Sequence, residues 1–485
     1  MGNGPGGVAG YEHLFDTLPG VIGGLVWEWR DHGLRTTING QPDFGYGGDF
    51  GEVFHDATFV IDGLTTPDGH PSPAMAEVAA QFTPIRLEMD QEVVFIRNLR
   101  HSADTSDLVF TVVVDGPDGE VGREEMDVPV IESGDEIAVV LPSVAPSAHE
   151  RWLSVVASLG DDSAWAPAGH VVARAQVIIE PTHGPAATPR PRPAHLDGWQ
   201  VGPVTLDPVT GRPSSWAGVP VSESDTTLWR APTSNDSLRT FGSYELADVV
   251  ATRGLGVDAP SSAERWRDAG LDRLVSRLVE LRHDGDRITV RRRQAPAQGT
   301  WGVEVIEQWT ELEGQAALGI DIVPFGRFDC TWPRVGWHLL LPGGYSEASW
   351  VGTGPGEAYP DSDAGVWLGS FSADIDDLCF GYIVPQETGH RPNLRRLAIS
   401  GAGLPTLQVS SSGPHHPGFT LARHDAHELD AASHCSELGT SRGVHLYLDA
   451  AQHGLGSRSC GPDVRPEFQL WAKAVRIDLQ LGVMR

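Results

Sequence analysis

The sequence predicts a mainly β protein that begins with a short segment of mixed α/β character. Short apolar runs separated by turn signals fill residues 86–180 and 196–485, and a Pro-rich linker at 181–195 divides the two regions. Residues 1–85 differ, because they combine apolar residues at helical spacing with a long Gly-rich loop. We therefore predict three structured parts and one linker.

Residues 1–85 predict two helices, one short strand and a long loop. Apolar residues recur at helical spacing over 6–18, a second helix is expected over 73–82, and a short apolar strand over 25–27. This pattern is that of the last strand–helix unit of an α/β (TIM) barrel, which needs roughly 250 residues to close. The apolar faces of this segment would lack partners, so we expect it to be poorly ordered or prone to aggregation.

Residues 86–180 predict an immunoglobulin-like β-sandwich. Turn signals such as Asp115-Gly116-Pro117-Asp118-Gly119 separate short apolar runs. These runs cover residues 93–96, 108–114, 137–141, 152–159 and 171–179. About 95 residues of such strands suit a sandwich of this size.

Residues 196–485 predict one large C-terminal β-sandwich, because strands and turns continue to the end of the chain. Val475, Ile477, Leu479 and Leu481 alternate with polar residues, which is the pattern of a half-buried strand.

The composition excludes several partners and locations. The chain has 65 acidic and 35 basic residues and a net charge of −30, so we expect no nucleic-acid partner. It contains no apolar run long enough to cross a membrane. Four cysteines without C-x-x-C spacing and an N-terminus without a secretory signal predict a cytoplasmic protein. Fifteen tryptophans are compatible with sugar stacking, but for most of them we favour a place in the core.

A Gly-rich run at Gly352-Thr353-Gly354-Pro355-Gly356-Glu357 has some similarity to a phosphate-binding loop. It lacks the Gly-Lys-Ser/Thr that such a loop requires, and Pro355 interrupts it. A turn in a β-domain is the better interpretation.

The chemistry-bearing residues of the first segment are an aromatic residue and a group of oxygen ligands. Trp27 ends the predicted strand, where barrel enzymes place their active sites, and it could stack on a sugar or pack in the core. Asp56, Phe59 and Asp62 follow at three-residue intervals. Carboxylates together with a main-chain carbonyl suit Na⁺, Mg²⁺ or Ca²⁺, although this spacing alone is unspecific.

A series of motifs runs through the chain in a fixed order. The first segment contains Met1-Gly2-Asn3, Gly23-Gly24-Leu25-Val26-Trp27-Glu28-Trp29 and Tyr46-Gly47-Gly48-Asp49-Phe50-Gly51. The last contains Trp229-Arg230-Ala231-Pro232-Thr233 and Tyr382-Ile383-Val384-Pro385-Gln386-Glu387-Thr388-Gly389. Together they resemble the C-terminal half of large bacterial β-galactosidases of glycoside hydrolase family 2, from just after the nucleophilic glutamate to the C-terminus.

The resemblance implies a fold and a mechanism. The last sandwich is expected to be galactose-mutarotase-like, of the β-galactosidase small-chain type. The family hydrolyses terminal β-D-galactosides such as lactose with retention, using two carboxyl groups about 5–5.5 Å apart. In the family both glutamates and the Mg²⁺ ligands precede the position of Met1. We therefore expect no catalytic residue in this chain and no activity of the isolated chain.

The resemblance also assigns roles to five residues. Trp27 matches the platform under the galactose ring, and Asp56 matches an acid beside the sugar site. The Phe59 carbonyl and Asp62 match a sodium site, where many relatives have Asn instead of Asp. Cys460 stands where some relatives have a Trp that contacts the outer sugar, so that contact is in doubt.

The sequence leaves three interpretations of such a chain open: a C-terminal portion of an enzyme, a small subunit and a carbohydrate-binding partner. It is expected to be the C-terminal portion of a β-galactosidase whose N-terminal half is its missing partner, with a truncated gene model as the favoured origin. The alternative is a non-catalytic small-subunit-like or carbohydrate-binding partner that completes the site of a separate large subunit. Family resemblance further implies a homo-oligomer for the complete enzyme.

Overall fold

The protein is described by a computed structural model that covers residues 4–179, 181, 193–239, 243–245, 260–297, 299–457 and 463–484. The chain divides into two compact units. The larger contains Met1–Glu77, Pro191–Val366 and Ser372–Arg485, and the smaller contains Val78–Arg190 and Trp367–Phe371.

The N-terminal segment has the two predicted helices but not the predicted strand. Its elements are α1 (Val8–Thr17), β1 (Leu34–Ile38), β2 (Gln41–Gly45) and α2 (Pro73–Gln81), with β1 and β2 forming an antiparallel hairpin. The strand expected over 25–27 is wrong: these residues have no regular structure, and Leu25 is 99% exposed. A short apolar run forms a strand only when a neighbouring strand pairs with it.

The smaller unit contains two antiparallel sheets, as the sequence predicts. Its strands are β3 (Ile85–Met89), β4 (Val93–Asn98), β5 (Leu108–Gly116), β6 (Gly119–Glu125), β7 (Glu136–Val140), β8 (Arg151–Leu159) and β9 (Val171–Ile179). One sheet has the order β3-β4-β7 and the other β6-β5-β8-β9. Phe110, Leu153 and Val155 are among the buried core residues between them. β6 escaped prediction because almost all of its side chains are exposed and many are charged.

Within the residues that the structure describes, the C-terminal part of the larger unit is a large β-sandwich with three short α-helices. Its first elements are β10 (Gln200–Val201), β11 (Val204–Leu206), β12 (Pro213–Trp216), β13 (Val219–Pro220), β14 (Glu223–Thr227), α3 (Ser234–Ser237), α4 (Ser262–Ala269), β15 (Leu274–His283), β16 (Ile288–Pro296), β17 (Gly302–Leu312) and β18 (Gln315–Phe325). The following elements are β19 (Arg334–Leu341), β20 (Glu347–Gly354), β21 (Trp367–Asp374, of which Trp367–Phe371 is assigned to the smaller unit), β22 (Arg396–Ser400), β23 (Leu407–Ser411), β24 (Gly418–Ala422), α5 (Ala426–Ala431), β25 (Val444–Gln452) and β26 (Val475–Val483).

Three sheets organise this sandwich. A nine-stranded sheet has the order β15-β16-β17-β18-β26-β23-β22-β20-β21, and two four-stranded sheets have the orders β14-β19-β25-β24 and β10-β11-β12-β13. The strand predicted from the alternation at the C-terminus is confirmed as β26, which pairs with β18 on one side and β23 on the other. Its apolar residues Ile477, Leu479 and Leu481 are buried.

Aromatic and charged side chains together fill the interior of this sandwich. The fully buried tryptophans include Trp216, Trp266, Trp309, Trp332 and Trp337, which confirms a core role for these residues. Such side chains bury much apolar area, so they stabilise the fold without any sugar contact.

The Gly-rich run at 352–357 consists of the last three residues of β20 and the bend that follows them, and the phosphate-loop interpretation is not supported. The carboxylate of Glu357 accepts hydrogen bonds from Tyr382 Oη at 2.9 Å, Thr388 Oγ1 at 2.6 Å and the Gly389 amide at 2.5 Å. Glu357 therefore joins two loops of the sandwich and is not available for a phosphate ligand.

Within the described residues, no helix has the length and apolar character needed to cross a membrane.

Candidate functional site

Two extended segments pair side by side and form one wall of the candidate site. The amide of Glu28 donates to the Asp62 carbonyl at 3.2 Å, and the amide of Leu64 donates to the Glu28 carbonyl at 2.9 Å. The bond from Thr65 N to Trp29 O, at 2.9 Å, continues this parallel pairing. The sequence motifs around Trp27 and Asp62, 35 residues apart in the chain, are therefore adjacent in the fold.

Glycine permits this close pairing at Gly63. A Cβ atom at Gly63 would collide with the backbone of Arg30 and Asp31. The Gly63 amide instead donates to Asp31 Oδ1 at 2.7 Å, which fixes a carboxylate against the paired segments. Burial raises the pKa of Asp31 to about 6 from its ordinary value of 3.8, although the Gly63 hydrogen bond opposes the rise.

The Gly-rich turn at 46–51 packs against the start of a short 3₁₀ turn, Ala57–Val60. The Gly47 amide donates to the Ala57 carbonyl at 3.2 Å, and a Cβ at Gly47 would lie 2.9 Å from the Ala57 backbone. Tyr46 N and the carboxylate of Asp49 close the turn with a 2.7 Å hydrogen bond. The motif is thus a structural support for the residues that follow it.

The large sandwich holds this turn from the other side. His434 Nε2 donates to Asp49 Oδ2 at 2.9 Å, and the His434 ring stacks on Tyr46 with centroids 4.6 Å apart. Tyr46 Oη donates to the Ser433 carbonyl at 2.6 Å. The Ser436 amide donates to Asp43 at 2.8 Å. These contacts join residues nearly 400 positions apart, and no motif of the sequence indicated His434 as a site residue.

An apolar contact completes this attachment. Tyr46 and Ile61 are buried together with Ile383 of the sandwich. Ile61 directly precedes Asp62, so the same contact positions the predicted cation ligand.

The two sugar-side residues predicted from the resemblance lie at the surface. Trp27 is 79% exposed, so its indole ring lies outside the core and a ligand can reach the face of the ring. Its peptide bond to Glu28 is cis. Asp56 is also exposed, and its carbonyl accepts the Phe59 amide at 3.0 Å at the start of the 3₁₀ turn.

The predicted cation ligands belong to the same short stretch. Asp62 Oδ1 is buried and has no hydrogen-bond partner among the described residues. Burial raises the pKa of Asp62, and the Glu28 carboxylate adds to the rise. A buried oxygen without a donor is costly unless a cation or donor meets it. The donor chemistry therefore fits a hard cation, with the Phe59 carbonyl three residues earlier as a further oxygen.

Cys460 lies outside the described residues, so its predicted role at the outer sugar stays a prediction. The structure adds Asp31, Asp49 and His434 to the neighbourhood of the site. Asp49 belongs to the Gly-rich motif at 46–51, and Asp31 lies two residues after the motif that ends at Trp29.

Comparisons with known proteins decide the family. The family model "Beta galactosidase small chain" matches residues 201–481, "Beta-galactosidase, domain 4" matches 94–180, and "Glycosyl hydrolases family 2, TIM barrel domain" matches 1–87. The chain belongs to the β-galactosidases of glycoside hydrolase family 2. It is a C-terminal portion of such a protein, and the fold predicted for its three parts agrees with these matches.

Curated relatives support the same assignment. A β-galactosidase of Arthrobacter sp. (strain B7) is 41% identical over 99% of this chain and 49% of its own length. One of Vibrio cholerae is 30% identical over the whole of this chain and 47% of its own length. The chain spans about half the length of the curated relatives that it matches. These names do not favour a separate small-subunit or carbohydrate-binding role.

Among solved structures, a galactose mutarotase-like protein from Lactobacillus casei ATCC 334 aligns with 58% of this chain and 93% of its own. The identity is 8% and the TM-score 0.28, too low to support an argument.

The motifs that carry the resemblance have structural roles in the last sandwich. Arg230 of the Trp-Arg-Ala-Pro-Thr motif forms a buried ion pair at 3.0 Å with Asp236 of α3, and Thr233 of the motif caps this helix. Glu387 forms another buried pair with Arg334 at 2.8 Å. In each pair the partner compensates for the hydration that the buried charge loses, so these motif residues have a structural role that needs no sugar contact.

Proposed function

We propose that this chain forms the C-terminal part of a retaining β-galactosidase that hydrolyses terminal β-D-galactosides such as lactose. The observation that carries the proposal is the exposed indole of Trp27, on a segment whose next residue, Glu28, is hydrogen-bonded through its backbone to Asp62. A flat aromatic surface next to an oxygen-rich cation site suits a galactose ring, whose C–H face stacks and whose hydroxyl groups coordinate or accept hydrogen bonds.

The residues of this chain would bind and orient the sugar. Trp27 supports the ring, Asp56 borders it, and Asp31 and the sandwich contacts hold these groups in place. The acid/base and nucleophile, two glutamates in this family, would come from the preceding half of the protein, together with the Mg²⁺ ligands. The isolated chain would then bind galactosides weakly and hydrolyse none.

A sodium ion is part of the proposal. The Phe59 carbonyl and Asp62 would hold it, and their oxygen chemistry and the unpartnered Asp62 Oδ1 support that role. When bound, the ion supplies a positive charge that orients a sugar hydroxyl. Many relatives have the neutral amide of Asn at this position. The carboxylate of Asp62 would instead place a full negative charge beside the sodium ion.

Exposed apolar side chains in the first segment support the proposal that this segment packs against a partner. Ile22, Leu25 and Phe54 are each more than 90% exposed, and Trp29 is 65% exposed. Exposed apolar side chains in such number favour burial against another surface. We assign that surface to the N-terminal half of the enzyme, which would supply the rest of the barrel.

A cytoplasmic location and a homo-oligomeric complete enzyme belong to the same proposal. Cys330, Cys379 and Cys435 are free thiols, as expected in a reducing compartment.

Hydrolysis of a chromogenic β-galactoside tests the function. The purified chain is assayed alone and after mixing with the portion of the Arthrobacter sp. β-galactosidase that this chain does not match. Activity should arise only in the mixture, and Trp27→Leu should lower its kcat/KM by about tenfold or more, because the ring loses its support. Asp62→Ala should remove the dependence of KM on sodium.

Trp165→Leu is the matched control, because Trp165 is a similarly exposed tryptophan of the smaller unit at 64%. It should leave the mixture's kcat/KM unchanged. Turnover by the isolated chain, or equal effects of the two tryptophan substitutions, would contradict the proposed role.

A further inference from the structure

A cluster of ligand-type side chains lies in the large sandwich, outside the candidate galactoside site. Asp425, Glu428 and His445 each offer one ligand atom, and these atoms all lie within 4.8 Å of one another. We propose that these three residues bind a divalent cation of the zinc type. The resemblance to β-galactosidases assigns no role to any of them.

Rigid elements carry the three ligands. Asp425 is the N-cap of α5, and Glu428 is its N3 residue. The Glu428 carboxylate accepts a hydrogen bond from the Asp425 amide, and the Asp425 carboxylate accepts one from the Glu428 amide. These reciprocal bonds fix the positions of both carboxylates. His445 lies on β25, which pairs with β19 and β24. Ligands that are held by secondary structure lose little conformational entropy when a metal binds.

One buried nitrogen of the cluster has no hydrogen-bond partner among the described residues, which is the state expected of a metal-binding atom. His445 is 0% exposed, and its Nε2 atom has no hydrogen-bond partner among the described residues. This nitrogen lies 4.0 Å from Glu428 Oε2, too far for a hydrogen bond. Two ligands of a tetrahedral Zn²⁺ stand about 3.4 Å apart when each bond is about 2.1 Å. A shift of about half an ångström would bring both atoms onto one ion.

The other nitrogen of His445 has the partner that a metal-bound histidine needs. His445 Nδ1 is hydrogen-bonded to His338 Nε2 at 2.9 Å, and the two rings stack with centroids 5.1 Å apart. When His338 accepts, His445 carries its proton on Nδ1 and presents the Nε2 lone pair to the cluster. Such a partner fixes both the tautomer and the ring orientation of a ligand.

Arg442 provides the positive charge of the cluster in the absence of a metal. Its guanidinium contacts Asp425 at 2.7 Å, Glu428 at 3.4 Å and Glu223 at 2.6 Å. The arginine is about half exposed and does not satisfy His445 Nε2. It can therefore turn towards Glu223 when a cation takes the two carboxylates, so arginine and metal would compete.

The ligand chemistry selects the metal. One imidazole and two carboxylates suit Zn²⁺ or Co²⁺ better than Ca²⁺ or Mg²⁺, which prefer oxygen alone. His424 Nδ1 lies 3.8 Å from Glu428 Oε2 and is a candidate for a fourth ligand.

Metal titration of the full chain tests this proposal without any enzymatic assay. Chelator-treated protein is titrated with Zn²⁺ by calorimetry and with Co²⁺ by visible absorption, where tetrahedral sites give intense bands. We expect one saturable site. Glu428→Gln, which keeps the capping box, and His445→Gln should each weaken binding by about tenfold or more. Arg442→Gln should tighten it, because the competing charge is gone.

Glu304→Gln is the control, because it removes a partly exposed carboxylate of the same sandwich that pairs with Arg291 and not with Arg442 or the cluster. It should leave the affinity within about twofold, because distant sites act independently. Absence of a one-to-one Co²⁺ or Zn²⁺ site, or binding that Glu428→Gln and His445→Gln leave unchanged, would show that the cluster is only an ion-pair network around Arg442. Circular dichroism of each variant confirms that it is folded.

Discussion

The last sandwich and the first segment of the larger unit bury their side chains in different ways. In the sandwich, charged groups such as Arg230 and Asp236 are completely buried and paired with each other. In the first segment, apolar groups such as Leu25 and Phe54 are almost completely exposed. The sandwich therefore pairs such buried charges internally, whereas the first segment still has apolar surface to bury.

Breaking a buried pair should produce the largest effect. Asp236→Ala leaves Arg230 buried with an unpaired charge, and we expect the free energy of unfolding to fall by about 3–5 kcal/mol. Urea unfolding followed by tryptophan fluorescence measures this change. Asp329→Ala, which removes an exposed partner of Arg327, should produce no measurable change. A loss below about 1 kcal/mol for Asp236→Ala would mean that the sandwich does not depend on its buried pairs.

Glu307 should contribute to the pH dependence of stability. Burial raises its pKa from 4.5 to about 7, although Arg292 opposes the rise at 3.8 Å. Because the folded state holds the proton more tightly than the unfolded state, this group costs no stability below pH 4.5. Its cost increases between pH 4.5 and 7 and is complete above pH 7.

Relative to the wild type, Glu307→Gln should therefore raise the free energy of unfolding more at pH 8 than at pH 4.5. The difference between the two pH values should be up to about 3 kcal/mol. Unfolding free energies of both proteins at the two pH values give the difference directly. Glu304→Gln, on the same strand but only partly buried beside Arg291, is the control and should show a much smaller difference. An unchanged pH dependence in Glu307→Gln would assign the effect to other groups.

Weakening the attachment of the first segment to the sandwich should lower local stability by a moderate amount. Tyr46→Phe removes the hydrogen bond from Tyr46 Oη to the Ser433 carbonyl but keeps the ring stack on His434. We expect a loss of about 1 kcal/mol in local stability, read as faster amide exchange over residues 43–62. Tyr11→Phe, an exposed tyrosine of α1, should leave this exchange unchanged. Equal exchange in wild type and Tyr46→Phe would contradict a supporting role for the hydroxyl.

The smallest effect on stability should come from the exposed apolar residues. Ile22→Ser and Leu25→Ser remove side chains that contact little within the described chain, so the unfolding free energy should not change measurably. Binding of a hydrophobic dye should nevertheless decrease, because apolar surface is lost. A large destabilisation would show that these side chains already pack within the chain.

The sequence predicted those elements whose patterns are local. The alternation in β26, the five runs of the smaller unit and both helices of the first segment are all present. β6 was missed because an exposed, charged strand has no apolar period. The strand over 25–27 was wrong because an apolar run does not show whether a partner strand exists.

The site was predictable only through motifs. Trp27, Asp56, Phe59 and Asp62 came from a family resemblance, and the structure pairs the segments of Trp27 and Asp62. His434 was not predictable, because its contact with Asp49 joins positions 385 residues apart and depends on the folding of the whole sandwich. Contacts of such separation leave no periodic signal in one sequence.

Amide hydrogen exchange tests the difference between the two regions most directly. Exchange is followed by mass spectrometry in the chain alone and in the mixture with the unmatched portion of the Arthrobacter sp. β-galactosidase. We predict that the mixture slows exchange in residues 20–60 and leaves β17, β18 and β26 unchanged, because these strands are already paired by hydrogen bonds within the sandwich. Slower exchange throughout the sandwich, or none in residues 20–60, would contradict the assignment of the first segment as the surface that needs a partner.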